Sequence, residues 1–378
     1  MKKSILLSIT TVLAALLLAV SCSSVMTQKG QFKSIDERIK RHDFSGALKD
    51  LEKAKKKYYE EKDRVMFYLD AGMLAHYSGD YEKSNEYLTR AEYAIEELYT
   101  ASISKAAASL LLNDNALDYS GEDYEDIYLN VFKALNYLHL GKTNDAMVEI
   151  KRINIKLNML EDKYKKLANE YNKDKDAAIK MRVGTNSLYN SALARYISLL
   201  IYRADSSWDS ARIDRDKILE AFRNEANLYP FPPPDLDGVL SARAGRAKVN
   251  FLCFAGKSPD KKGVTIRLKS QRDMLVIVPS AENDKYQEEI TDFAAIRWPG
   301  LKGDYYFKFQ IPIMEMRGSK AETVRIAMRS VEGGKRSNKE TTLTAGRIES
   351  LERIARFTFE IKKPMIYLKT VLRSVTKG

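Results

Sequence analysis

Residues 124–157, YEDIYLNVFKALNYLHLGKTNDAMVEIKRINIKL, constrain the rest of the chain, because apolar spacing and a turn signal coincide in them. Val131, Ala134, Leu135 and Leu138 recur at i, i+3, i+4 and i+7, the stripe of a helix that buries one face. Gly141 stops that helix, and Ala146, Ile150 and Ile153 resume the period. A helical hairpin of this kind cannot bury its own stripe. It needs similar neighbours stacked on it, so the pattern is expected to repeat.

It repeats upstream. Asp43-Phe44-Ser45-Gly46-Ala47, followed by Leu51 and Ala54, matches Gly79-Asp80-Tyr81, followed by Ser84, Leu88 and Ala91, with Phe44 and Tyr81 standing 37 residues apart. Gly72 and Ala75 occupy small positions where two helices must approach closely, and Ala134, Tyr137, Gly141 and Ala146 take the corresponding places in the opening hairpin. These units resemble tetratricopeptide repeats, whose period is about 34 residues; generic helical hairpins are the alternative. Residues 104–119 read as a helix ending in an Asn/Asp-rich break, and the acids of GEDYED at 121–126 as caps for the helix that follows. A lysine-rich amphipathic helix is expected over 156–180. Residues 187–202 and 210–228, with small Ala192 and Ala211, form a fourth, degenerate pair.

Tyr229-Pro230-Phe231-Pro232-Pro233-Pro234-Asp235-Leu236-Asp237 cannot continue a helix and marks a boundary. Beyond it the period alternates: 249–255, 264–268, 274–279, 305–315 and 324–331 read as strands, with 341–344 returning from a turn at Gly333-Gly334. From Arg347 the helical period resumes, and a second helix is expected after Pro364. The expected class is therefore mainly α, a tetratricopeptide-like hairpin array (an α-solenoid) followed by a small α+β module. The divisions are a lipoprotein signal peptide at 1–22, a tether at 23–33, the repeat domain at 34–228, a proline-rich linker at 229–238 and the α+β module at 239–378.

The net charge of +12 suits nucleic acid, an anionic membrane surface or simple solubility, so compartment has to decide between them. Lys2 and Lys3 precede an uncharged run over 5–20 and the small residues Ala19-Val20-Ser21 before Cys22. That is an export signal. Its end resembles a bacterial lipobox, in which Cys22 is lipid-modified; Ala19 replaces the commoner leucine, and a plain signal peptide or a membrane anchor is the alternative. The run is short for a span of about 20 residues. Removing Lys2 and Lys3 from 63 basic residues leaves 61 against 51 acidic ones, a net +10. With Cys22 modified only Cys253 remains, which excludes an intramolecular disulfide.

The sequence carries little chemical signal. Gly256-Lys257-Ser258 lacks the first glycine of a phosphate loop, since Phe251 stands there. His42, His76 and His139 are scattered among the repeats with no metal-ligand spacing. Glu288, Glu289, Asp292, Asp304, Glu315 and Glu322 show no recurrent pairing, although catalytic carboxylates come from distant strands. No cofactor, metal or nucleic-acid partner is expected.

A narrower resemblance covers most of the chain after Cys22. The lipobox, GEDYEDIYLNVFKALNYLHLGKTNDAMVEIKRIN, Gly256-Lys257-Ser258-Pro259-Asp260-Lys261, Arg297-Trp298-Pro299 and the ending IARFTFEIKKPMIYLKTVLRSVTKG look like an uncharacterised family of bacterial lipoproteins with tetratricopeptide-like N-terminal halves. The resemblance implies envelope proteins of no known enzymatic activity, some encoded near small lipoproteins that activate peptidoglycan synthases. Members run on past the last helix, so this chain is expected to lack part of its C-terminal module. The expected role is a non-catalytic, lipid-anchored scaffold that binds another envelope protein in cell-wall synthesis or envelope assembly, with the periplasmic face of the outer membrane as its address. A glycan- or peptidoglycan-acting enzyme with a site in the C-terminal module is the alternative.

In such repeats the first helix of each pair lines the concave surface. Carried across residue by residue, the resemblance puts Met66, Leu69, Met73, His76 and Tyr77 of the second unit there, with Tyr128, Val131, Leu135, Leu138 and His139 of the third. His76, Tyr77 and His139 suit a groove wall best, because each carries a polar tip on an apolar body.

Overall fold

The computed structural model describes residues 32–104, 118–172, 191–241, 248–282, 288–292, 294–297, 299–300, 302–303, 305–317, 323–332 and 335–377. The signal segment with Cys22, nearly all of the tether, most of 104–119, residues 173–190 and the Gly333-Gly334 turn lie outside the described residues.

Among the described residues eight α-helices come first, in four antiparallel pairs: α1 (Lys33–Lys40) with α2 (Phe44–Tyr58), α3 (Arg64–Ser78) with α4 (Tyr81–Ser104), α5 (Asp123–His139) with α6 (Thr143–Asn172), and α7 (Ala192–Ala204) with α8 (Trp208–Asn224). One turn joins all four pairs. A residue in the left-handed region ends each first helix: His42 (φ 60°), Gly79 (84°), Gly141 (71°) and Ser206 (59°). The next amide then reaches back five residues, from Asp43 N to Arg38 O (3.0 Å), Asp80 N to Ala75 O (3.0 Å), Lys142 N to Tyr137 O (2.8 Å) and Ser207 N to Tyr202 O (2.8 Å). This is the Schellman closure, which satisfies carbonyls that a helix end otherwise leaves bare. Three residues into each second helix stands a small, wholly buried side chain, Ala47, Ser84, Ala146 or Ala211. At Gly72 a methyl group would sit 2.6 Å from Leu88 Cδ2, so α3 and α4 touch there through glycine.

Beyond the helices, β1 (Asp260–Gln271), β2 (Met274–Glu282), β3 (Glu288–Ile290), β4 (Ala294–Arg297) and β5 (Tyr306–Glu315) form an antiparallel sheet of order β3-β2-β1-β5, with β4 also paired to β2. Its register sets Ile266 opposite Pro279 and Phe309, and Leu268 opposite Ile277 and Phe307, which gathers apolar side chains on one face. β6 (Val324–Glu332) and β7 (Lys335–Ala345) make a separate ribbon, and α9 (Leu351–Lys377) closes the chain. The fold is thus mainly α with a β module.

Several expectations change. Residues 249–255, expected as a strand, take no regular secondary structure, while β3 and β4, short and almost wholly exposed, had no apolar pattern to betray them. Pro364 does not separate two helices: α9 runs through it, without the bond that a proline N–H cannot make. The expected linker is packed, with Tyr229 and Leu236 buried in the same core as Leu193, Ile197, Ile218 and Phe222. That core also takes Ile354 and Ala355 of α9, so the helical array does not close on itself at residue 228.

Candidate functional site

Three features compete for a functional role. The first is a run of rings along the turn edge of the helical pairs. His42 meets Phe44 with ring centres 5.9 Å apart, Phe44 stacks on Tyr77 at 5.2 Å, and Tyr77 meets His76 at 5.2 Å. His76 touches Tyr81 (5.9 Å) and Phe132 (5.0 Å), and Tyr81 lies flat on His139 at 4.2 Å and 6°. All three histidines of the chain belong to this run. The shared turn explains it, because equivalent positions beside each turn fall next to one another when the pairs stack. Tyr77 is 45% exposed, His42 and His139 are exposed, and His76 is half-buried.

His76 is held in one tautomer. Both amide hydrogens of Asn136 are donated, to Ser84 Oγ (2.8 Å) and Asn85 Oδ1 (2.9 Å), so its oxygen accepts from His76 Nδ1 at 2.6 Å. Burial holds the His76 pKa below the usual histidine value.

Of the ten residues expected to line a groove, Tyr77, His76 and His139 fall on this strip. Tyr128 and Val131 do not line an open surface: Tyr128 is 6% exposed and donates its hydroxyl to Glu349, and Val131 is fully buried. Leu135 and Leu138 pack against that same core, Leu69 and Met73 against the cluster around Leu88 and Ile95, and Met66 against Leu51 and Phe67. The chain's own C-terminal part covers the third unit. Phe254 lies on Phe132 at 5.2 Å, and Lys261 Nζ donates to Glu122 Oε1 at 2.5 Å. Phe44, Tyr81 and Phe132 escaped the sequence reading, although the offset that equates Phe44 with Tyr81 was already in view.

The second feature is a carboxylate hub at the junction of the two parts. Glu349, just before α9, accepts from the hydroxyls of Tyr128, Tyr229 (2.9 Å) and Ser191 (2.9 Å) and from Leu193 N at the start of α7 (3.3 Å). A carboxylate at a helix N-terminus answers both bare amides and the helix dipole. Burial nevertheless pushes its pKa up.

The third is a charge network between α4, α5 and α6. Glu92 is fully buried and meets Lys133 Nζ (2.8 Å), Arg152 (2.9 Å), Lys156 Nζ (2.9 Å) and Asn130 Nδ2 (2.9 Å). Lys133, 2% exposed, also reaches Glu149 at 3.1 Å. Of the GEDYED acids, Glu122 and Glu125 form the expected cap, whereas Asp123 and Asp126 pair with Lys163 and Lys156 of α6. Above this network opens a cleft of about 370 Å³, walled by Tyr93, Tyr99, Arg152, Ile155 and Met159. Among the described pairs, Lys133, Arg152, Lys156 and Lys163 answer Glu92, Glu149, Asp126 and Asp123, so the network ties α4, α5 and α6 together as a strut. The only sequence signal was Lys133 itself, a cation amid the apolar run of α5.

Among the described residues no three His, Cys, Asp or Glu side chains gather to hold a metal ion, and no helix is long and apolar enough to cross a membrane. Cys253 is exposed. No family model, curated protein or solved structure matches the chain.

Proposed function

We propose that this chain is a non-catalytic scaffold of the tetratricopeptide kind, exported and held on a bacterial membrane through Cys22, and that its turn-edge rings grip a segment of another envelope protein. One observation carries the reading. Three successive helical pairs contribute to a single continuous strip of rings, all at least partly exposed except the buried Phe132, that includes every histidine of the chain. Rings with polar edges offer apolar area at low conformational cost and are the side chains that most often anchor a bound segment. The shared Schellman turns and the small residues at one register support the repeat reading, and the export signal with Cys22 supports the address. The resemblance to envelope lipoproteins suggests cell-wall synthesis or envelope assembly as the setting.

The test is positional. A photo-crosslinking amino acid in place of Tyr77, in cells making the full chain, is expected to trap one discrete protein. The same amino acid at Val331, which is exposed on the separate β6–β7 ribbon, should not trap it. Equal trapping from both positions, or from neither, contradicts the reading. Cys22→Ser is expected to move the chain out of the membrane fraction and abolish acyl labelling; unchanged partitioning without label on the unaltered chain contradicts the anchor.

A further inference from the structure

The first helical pair carries positive charge that its neighbours do not answer. On α2 the buried side chains are Ala47, Leu48 and Leu51; at about 100° per residue, Lys49, Lys53 and Lys56 fall within an arc of roughly 60° on the other side of the helix. All three are exposed, and so is Lys57 beside them. The acids of the same helix are engaged elsewhere: Asp50 accepts from Arg38 of α1 at 2.6 Å, and Glu52 from Lys83 of α4 at 2.7 Å. Among the described residues none of the four lysines takes part in an ion pair. Cations near a helix C-terminus answer its dipole, but that effect falls off within the last turn. Lys56 and Lys57 lie in that turn, whereas Lys49 and Lys53 do not.

The tether arrives at the same end of the pair. Phe32, just before α1, meets Tyr58 at 5.6 Å and Tyr59 at 5.5 Å, next in the chain to Lys56 and Lys57. From Cys22 to Phe32 the chain spans about 35 Å at full stretch, which bounds how far this end can stand from the expected anchor.

We propose that the lysine face of α2 lies on the anionic headgroups of the membrane that holds Cys22. The inference rests on the proposed anchor, which is what keeps this helical pair beside a surface. Charge complementarity selects the occupant, because a stripe of lysines without acids among them matches a plane of lipid phosphates. Each lysine near an anionic bilayer strengthens attachment about five-fold, so three together give about a hundred-fold. Docking through this face leaves the ring strip open. Phe44 lies about 18 Å along α2 from Lys56 and turns toward α3, where it stacks on Tyr77.

The chain made from residue 23 onward, with neither signal segment nor lipid, isolates the lysine face. It is expected to sediment with vesicles of phosphatidylglycerol mixed into phosphatidylcholine, but not with pure phosphatidylcholine, and to be released as salt screens the charges. Lys49→Gln, Lys53→Gln and Lys56→Gln together should weaken that binding about a hundred-fold, and arginine at the same three positions should restore it. Lys142→Gln, Lys151→Gln and Lys166→Gln remove equal charge from exposed lysines of the third pair and should leave binding nearly unchanged. All six positions are exposed, so the circular dichroism spectrum should be the same throughout. Equal losses from the two triple variants would overturn the proposal, since net charge alone would then explain the binding. An unaltered chain that binds neither kind of vesicle would also overturn it, as would one that binds a soluble polyanion but not the mixed vesicles. Failure of the Cys22→Ser test strikes the anchor alone, because the chain used here carries no lipid.

Discussion

Glu92 shows what one buried side chain does for the array. Burial alone would raise its pKa, but Lys156 and Lys133, with help from Asn130, outweigh that and hold it at about 2. Because this lies below its ordinary value of 4.5, the folded state binds the Glu92 proton less readily than the unfolded chain does. Its contribution is complete above pH 4.5 and is lost as pH falls toward 2, and it amounts to on the order of 3 kcal/mol. Acid titration of stability should steepen across that window, and Glu92→Gln should remove the extra slope while destabilising the protein at neutral pH. An acid limb unchanged by the substitution would refute the assignment. His76 works in the same direction at higher pH. Its lowered pKa means that protonation, once forced below the usual histidine value near 6.5, opposes the fold around Asn136. Neither group was legible as such, because Glu92 and Lys133 are 41 residues apart in the chain and only the stacking of α4 on α5 brings them within hydrogen-bond distance.

At the scale of elements the recurrent turn is the organising device, and it was readable only where glycine marked it. Gly79 and Gly141 announce a left-handed residue, whereas His42 and Ser206 occupy the same conformation without that signal. The geometry gives the two kinds of turn opposite responses. At Gly79 an added Cβ meets nothing within 4 Å, so Gly79→Ala should cost only the backbone strain, about 1 kcal/mol. Ser206→Gly should relieve the same strain and stabilise by about 0.5 kcal/mol, the greater freedom of glycine in the unfolded chain offsetting the rest. Chemical denaturation of both variants decides this, and shifts of the same sign would contradict the shared turn. Strands with alternating apolar residues, β1, β2 and β5, were legible for the same kind of reason: their pairing exposes one periodicity. Residues 249–255, which form no strand, look the same in sequence, because an apolar pattern reports a covered face and says nothing of who donates the hydrogen bonds.

The whole molecule is tied together more tightly than its change of period implies. Tyr229, Leu236, Ile354 and Ala355 belong to one core with α5 to α8, and Glu349 joins α5, α7 and the segment after α8 through four donors. No local pattern announces this, since a Pro-rich stretch reads alike whether it spans solvent or lies on a core. Glu349→Ala strands the hydroxyls of Tyr128, Tyr229 and Ser191 and should cost roughly 2–3 kcal/mol. A fragment of residues 34–228 should likewise fail to melt cooperatively by calorimetry; one that melts as sharply as the full chain would show two independent units. The central claim, that the turn-edge strip is a surface for a partner and not simply part of the stack, is tested most directly by Tyr77→Ala combined with His139→Ala. With the protein trapped at Tyr77 as ligand, the account predicts affinity weakened by about 1–3 kcal/mol at a melting temperature close to that of the unaltered chain. Undiminished affinity accompanied by a clear loss of thermal stability would contradict it.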